Sequence, residues 1–185
     1  MSETKAKSSA NSEIDELKTR IANLEEKLLR VSNLYRYEKL QNLLKSGEWL
    51  AADKETVQLI LAIAGESDLE NLRPEEIALI DCSELQVIDR LWMNYSDDRF
   101  GFSVQANIYQ ELGGSEQTTI EQNNDLIEKW GDKLGWRNDG QWLKCSELDY
   151  SEKAKKGGLP GLWWNSPYGS KMTNFFLARL LACEI

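Results

Sequence analysis

"LQVIDRLWMNYSDDRFGFSVQANIYQ", residues 85–110, decides how this chain folds. Its first half repeats large side chains at helical spacing, so Leu85, Ile88, Leu91, Trp92 and Tyr95 share one face, the stripe that packs against a core. Asp97 and Asp98 end that helix. The glycine of Phe100-Gly101-Phe102 permits a tight backbone path that can present one ring to the core and the other toward a cup. Ser103 is placed to cap a second helix that carries Val104, Ile108 and Leu112 inward. Two amphipathic helices joined by a tight turn predict an α-helical domain. Their rings are then ordinary core, the approach to a catalytic site, or the wall of a ligand cup.

Working outward, "LQNLLKSGEWLAADKETVQLILAIAG" gives two helices, one ending near Ser46-Gly47 and one carrying Trp49, Leu50, Val57, Ile60, Leu61 and Ile63 to a stop at Gly65. Pro74 opens a short helix before residue 85. "GGSEQTT" breaks the chain before another helical stretch, Leu126 to Leu134. "GWRNDGQWLKC" then sets Asp139-Gly140 between two tryptophan-bearing arms, the signal for a tight β-hairpin. "KKGGLPGLWWNSPYGS" is a long Gly/Pro loop, and "MTNFFLARLLA" a last apolar helix.

Upstream, Ile14, Leu17, Ile21, Leu24, Leu28 and Val31 alternate in steps of three and four, an a/d heptad seam in which Arg20 faces Glu25 of a partner strand. The seam serves either a homodimer through residues 14–31 or a helix folded back on its own domain. The expected class is mostly α: an all-helical domain over residues 35–185 with a small β-hairpin, preceded over residues 1–34 by a polar tail and a long heptad-patterned helix.

Composition excludes several functions. The chain has 185 residues and a net charge of −9. Residues 1–46 hold 9 basic and 7 acidic residues, so the remainder carries −11, a surface that repels nucleic acid and anionic lipid. No apolar run approaches the ~20 residues of a membrane span, and the N-terminus lacks a signal-peptide core. These features point to a cytoplasmic protein, with peripheral docking at a membrane left open. Cys82, Cys145 and Cys183 are odd in number and widely spaced, which fits neither a disulfide framework nor a zinc or redox motif and leads us to expect three reduced, packed thiols.

The sequence contains no histidine. Histidine-based triads and histidine-ligated metal or haem are therefore excluded. No P-loop or dinucleotide fingerprint is present, and no carboxylate pair stands apart from a solvated surface. A non-enzyme without a protein-ligated metal is expected.

Aromatic density is what stands out: 14 of the 17 aromatic residues lie between Trp92 and Phe176, six of the seven tryptophans among them. Trp92, Phe100, Phe102 and Trp130 suit a core at helical spacing. Trp136, Trp142, Trp163, Trp164 and Tyr168 belong to the hairpin and the Gly/Pro loop, where exposed rings suit a flat apolar ligand or a partner.

The ordered run "LQVIDRLWMNYSDDRFGFSVQANIYQ", "GDKLGWRNDGQWLKCSELDYS" and "GGLP" resembles the genomes-uncoupled-four (Gun-four) family of oxygenic phototrophs, over roughly Tyr35 to Pro160. The resemblance implies a domain shaped like a cupped hand that binds protoporphyrin IX or Mg-protoporphyrin IX. It also implies stimulation of magnesium chelatase, through its large subunit, in chlorophyll synthesis near photosynthetic membranes. Carried over by position, Phe100, Phe102 and Val104 match the family's FGFSV segment, Trp136 and Trp142 its hairpin tryptophans, and Leu159 and Pro160 the entry to its mobile finger. Arg137 is then the expected propionate partner. Past Pro160 the sequence departs from the family pattern, leaving Trp163, Trp164, Tyr168, Lys171 and Met172 to cover the ring. Two other readings are a dimeric protein-interaction module without pigment and a bilin carrier linked through Cys145.

Overall fold

The computed structural model describes residues 35–185 together with Ile14, Leu17, Lys18, Arg20, Ile21 and Leu24. It divides into a unit of residues 1–38 and a unit of residues 39–185. In the first unit these six residues lie in helical backbone, and Ile14, Leu17, Ile21 and Leu24 are exposed. Glu25, Leu28 and Val31 of the seam fall outside the described residues.

Eight helices occur among the described residues: α1 (Glu38–Lys45), α2 (Trp49–Ala64), α3 (Pro74–Ile77), α4 (Cys82–Tyr95), α5 (Phe102–Glu111), α6 (Glu116–Ile120), α7 (Asn124–Leu134) and α8 (Ser170–Ala182). A two-stranded antiparallel sheet, β1 (Arg137–Asn138) with β2 (Gln141–Trp142), pairs Arg137 with Trp142 around the Asp139-Gly140 turn. Two 3-10 turns, Cys145–Glu147 and Leu162–Trp164, punctuate the remaining loop. The chain is mostly α with one small hairpin.

Local chemistry sets these limits. Gly65 adopts φ 77° and closes α2, Pro74 is the first residue of α3, and Asp81 caps α4 by accepting from the Ser83 amide at 2.8 Å. Helix α6 was hidden in the "GGSEQTT" break: Ser115 and Thr118 form a capping box there, a signal that the run of turn residues masks.

The 85–110 segment differs from its sequence reading in two respects. Ser103 does not cap α5; Gly101 stands at the cap position, and the Asp89 carboxylate of α4 accepts from the Ser103 amide at 2.8 Å and its hydroxyl at 3.0 Å. Gly101 is required there, because its φ is 135° and a Cβ would sit 2.7 Å from Asp89 Oδ1. The inward face of α5 is Phe102, Val104, Gln105, Ala106 and Tyr109, while Ile108 and Leu112 are only half-buried. Both rings of the Phe-Gly-Phe turn point into the core. Phe100 packs edge-on against Trp49 and Trp92, and Phe102 against Phe176 of α8.

Three indoles deep in the core keep a hydrogen-bond acceptor, which offsets the cost of burying the N–H. Trp92 donates to Thr56 Oγ1 at 2.9 Å, Trp130 to the Gln105 carbonyl at 2.9 Å and Trp136 to the Gly158 carbonyl at 2.7 Å.

The expectation of three reduced thiols is corrected: Cys82, the first residue of α4, forms a disulfide with Cys183, the residue after α8, and only Cys145 is a free thiol. Wide spacing concealed the pair because α8 returns to the start of α4; Arg179 Nε donates to the Ile80 carbonyl at 2.7 Å beside it. Closing a loop of sequence separation 101 removes unfolded-chain entropy worth about 4.7 kcal/mol. Cys183→Ser is expected to lower unfolding stability by about that amount, measured by urea denaturation without reductant; an unchanged midpoint contradicts it.

Two buried carboxylates give a second expectation. Burial pushes Asp53 up to about 7, against the pull of the Gly161 and Leu162 amides, and burial raises Asp89 despite its bonds to Ser103. The native state therefore holds more protons than the unfolded chain above the ordinary carboxylate range. The stabilisation is fully present below the unfolded value and is lost as pH rises toward 7, by at most ~1.4 kcal/mol per pH unit for each group. Thermal midpoints should fall between pH 5 and pH 8, and Asp53→Asn should flatten the slope; a midpoint that rises with pH is the contrary result.

Candidate functional site

A strap of residues 157–162 crosses the second unit with little secondary structure of its own, so its backbone polar groups must find partners elsewhere. Gly157 donates to the Arg99 carbonyl at 2.8 Å, and the Leu159 carbonyl accepts from Gly101 at 3.0 Å. Gln105 Nε2 donates to the carbonyls of Gly157 (3.0 Å) and Pro160 (2.8 Å). Leu159-Pro160 is cis. At the far end the Asp53 carboxylate accepts from Gly161 at 2.8 Å and from Leu162 at 3.1 Å. These bonds deliver the Leu162–Trp164 turn to a fixed place.

That turn completes an aromatic ladder. Trp164 stacks on Trp136 with centroids 5.9 Å apart and tilts against Trp142 at 5.3 Å, while Trp163 meets Phe176 at 4.1 Å. The Trp142 ring can lie on α7 because residue 131 is glycine; a Cβ there would come within 2.6 Å of the ring. The indole nitrogens of Trp163 and Trp164 are buried without an acceptor.

The expected site residues are thus brought together only in part. Trp136, Trp142, Trp163 and Trp164 form one cluster, and the strap that carries Leu159 and Pro160 is tied to it by the bond from Trp136 to the Gly158 carbonyl. Phe100, Phe102, Val104, Trp136, Leu159, Pro160 and Trp163 are buried, whereas Trp142 is 39% exposed and Trp164 half-buried. Both expected cations are occupied. Arg137 bonds Glu128 at 2.8 Å and Asp132 at 3.2 Å, with its guanidinium over Trp142. Lys171 bonds Glu75 at 2.9 Å. Cys145 is half-buried, and burial, then the Asp53 charge, pushes its thiol up, which leaves little thiolate for a bilin link.

An open concavity lies beside this cluster. A cleft of about 500 Å³ runs between α1 and α2 and is closed by Leu69 and the Leu162–Asn165 end of the turn. Leu43, Ala51, Val57, Leu69 and Leu162 supply apolar walls; Lys39, Lys54, Glu55 and Gln58 stand at its edges. Lys39 is bridged to Glu55, whereas Lys54 is exposed and has no ion pair among the described residues. Sequence reading missed these residues because the cleft joins segments over a hundred positions apart. Its one local trace is the row Ala51, Lys54 and Gln58 on the outer face of α2. Among the described residues no three metal-ligating side chains converge, and no helix is long and apolar enough to cross a membrane.

The comparisons with known proteins agree with this architecture. The family model described as GUN4-like matches residues 30–177. A chloroplastic tetrapyrrole-binding protein of Arabidopsis thaliana is 37% identical over 78 residues, 41% of this chain and 29% of that protein. An uncharacterized ycf53 protein of Porphyra purpurea is 34% identical over 127 residues, 67% of this chain and 49% of that protein. The chain spans about half the length, or less, of these two relatives. Among solved structures, ligand-free GUN4 of Arabidopsis thaliana superposes with a TM-score of 0.59 at 24% identity, covering 77% of this chain and 94% of that one. GUN4 from Chlamydomonas reinhardtii does so with a TM-score of 0.55, also at 24% identity, covering 76% and 86%. The two structures speak for the fold, and the family match runs from the end of the heptad segment into α8: the chain belongs to the GUN4-like family.

Proposed function

We propose that this chain binds a tetrapyrrole, protoporphyrin IX or its magnesium complex, in the cleft between α1, α2 and the Leu162–Trp164 turn, and does no chemistry on it. The observation that carries the reading is the cleft itself: an open apolar slot beside a tryptophan cluster, with a lysine at its edge that has no ion pair among the described residues, in a chain related to a protein named for tetrapyrrole binding. A porphyrin is a flat apolar ring bearing two propionates. Burial of the ring at ~25 cal/mol per Å² supplies affinity, and a rim cation fixes its orientation. On a chain of net charge −9, a dianionic ligand needs that cation. In this reading residues 35–185 form the binding domain, and the loaded protein stimulates magnesium chelatase through its large subunit at photosynthetic membranes.

A second reading, a dimeric interaction module with weak or no pigment binding, is favoured by the exposure of Ile14, Leu17, Ile21 and Leu24, which places an a/d stripe in solvent. Deleting residues 1–34 should convert a dimer to a monomer in sedimentation; a full-length chain that sediments as a monomer removes this reading.

Adding magnesium protoporphyrin to micromolar protein should shift the Soret band and quench tryptophan emission. Lys54→Glu should weaken binding about tenfold, or ~1.4 kcal/mol, and Leu162→Asp should weaken it further, with unfolding curves unchanged for Lys54→Glu. An unshifted Soret band, or unaltered affinity in both variants, tells against a tetrapyrrole in this cleft.

A further inference from the structure

A second open slot, of about 480 Å³, shares no lining residue with the cleft. It runs along α8 and is walled by α6 and by Ala78, at the end of α3. Ala78, Ile120, Phe175, Ala178 and Ala182 give it an apolar surface, and Ile120 is 67% exposed, so a large hydrocarbon side chain stands in water at its edge. Arg179 is the cation that lines it. The Arg179 Nε donates to the Ile80 carbonyl at 2.7 Å, which fixes the guanidinium, and among the described residues its Nη groups make no hydrogen bond or ion pair. The Asp81 carboxylate feels that charge but is spent on the Ser83 amide and hydroxyl, at 2.8 and 2.7 Å. Lys171, over the Phe175 ring, is bridged to Glu75, and Glu116, the acid that lines the slot, is exposed to solvent. The walls are held at a set spacing, since the Arg179–Ile80 bond and the Cys82–Cys183 disulfide both join the last turn of α8 to the chain around the start of α4.

We propose that this slot binds an unbranched aliphatic carboxylate, the anion of a fatty acid, with its head group on the Arg179 Nη groups and its tail laid along α8. A guanidinium whose Nε is already spent still presents two Nη donors, a fork that matches the two oxygens of a carboxylate. Alanine at positions 78, 178 and 182 leaves room for a chain to lie against the helix. From Phe175 to Ala182 the helix runs about 10 Å at 1.5 Å per residue, the reach of a medium-length acyl chain. Covering the tail together with Ile120 supplies affinity through apolar burial. On a chain of net charge −9 an anion needs a local cation, and Arg179 is the one that lines this slot. A preformed slot adds to that affinity, because no wall has to be ordered when the ligand arrives. The site and the ligand are both distinct from those of the tetrapyrrole reading, on which this proposal does not rest.

Octanoate titrated into the isotope-labelled full chain, followed by amide chemical shifts, tests it. Saturable shifts should gather at Ala78, Ile120, Ala178 and Ala182, while Leu43 and Val57 of the tetrapyrrole cleft stay in place. Octanol, which has the same tail and no charge, should bind about tenfold more weakly. Arg179→Gln should weaken octanoate about tenfold and leave octanol unchanged. Ile120→Asp, at an exposed position where the fold does not depend on the side chain, should weaken octanoate as strongly by placing a like charge beside it. The absence of saturable shifts at millimolar octanoate, shifts confined to Leu43 and Val57, equal affinity for octanoate and octanol, or unaltered affinity in Arg179→Gln each overturns the proposal. Should Arg179→Gln fail to fold, the octanol comparison and Ile120→Asp decide in its place. Saturating magnesium protoporphyrin should leave the octanoate shifts where they are; their loss would show that the two ligands share the cleft and would overturn the separate site.

Discussion

The strap from Gly157 to Leu162 depends on being hydrogen-bonded by parts of the chain far from it in sequence. It runs buried with no ladder of its own, and an unsatisfied amide or carbonyl in such a place costs a large fraction of a small domain's stability. Gln105 from α5, Trp136 from the hairpin base, Arg99 and Gly101 from the turn before α5, and Asp53 from α2 each meet one part of that need. Those contacts bring otherwise separate elements to one line. The aromatic ladder and the cleft are both consequences, since the first needs Trp163 and Trp164, and the second needs Leu162, where the strap leaves them.

The same constraint explains the composition of α5. A buried glutamine in the middle of an apolar helix face would be costly without partners, yet Gln105 is fully buried and serves two carbonyls with one amide group. Gly101 belongs to the same arrangement. By admitting Asp89 it lets α4 hold the first turn of α5, and its amide bonds Leu159. The FGFSVQ motif is therefore a piece of strap-holding machinery as much as a pair of core rings.

Much of this was legible beforehand and some was not, for physical reasons. Periodicity found α2, α4 and α7, because each presents a long apolar stripe, and Asp139-Gly140 located the hairpin, because both residues adopt positive φ. The family was legible from ordered motifs. Side-chain roles that depend on distant partners were not. Arg137 looks like a free cation beside a tryptophan until Glu128 and Asp132 are seen to flank it, and Cys82 and Cys183 look unrelated until α8 folds back. Lys54 carries no sequence signal beyond its place on the outer row of a helix; only the position of Leu162 gives it a cleft to face.

The Cys82–Cys183 bond has a topological consequence. It turns residues 82–183 into a covalent ring that includes α4, α5, the hairpin, the strap and all of α8, leaving α1, α2 and α3 as a pendant arm. A cut at the exposed Asp139-Gly140 tip would open that ring without releasing a fragment. The two halves of the aromatic ladder would remain tethered, held by the bond and by the packing of α8 on Phe102 and Trp163. The cleft, by contrast, is shared between ring and arm, so its walls keep their places through the hydrogen bonds of Asp53 and through packing, with no covalent closure of their own.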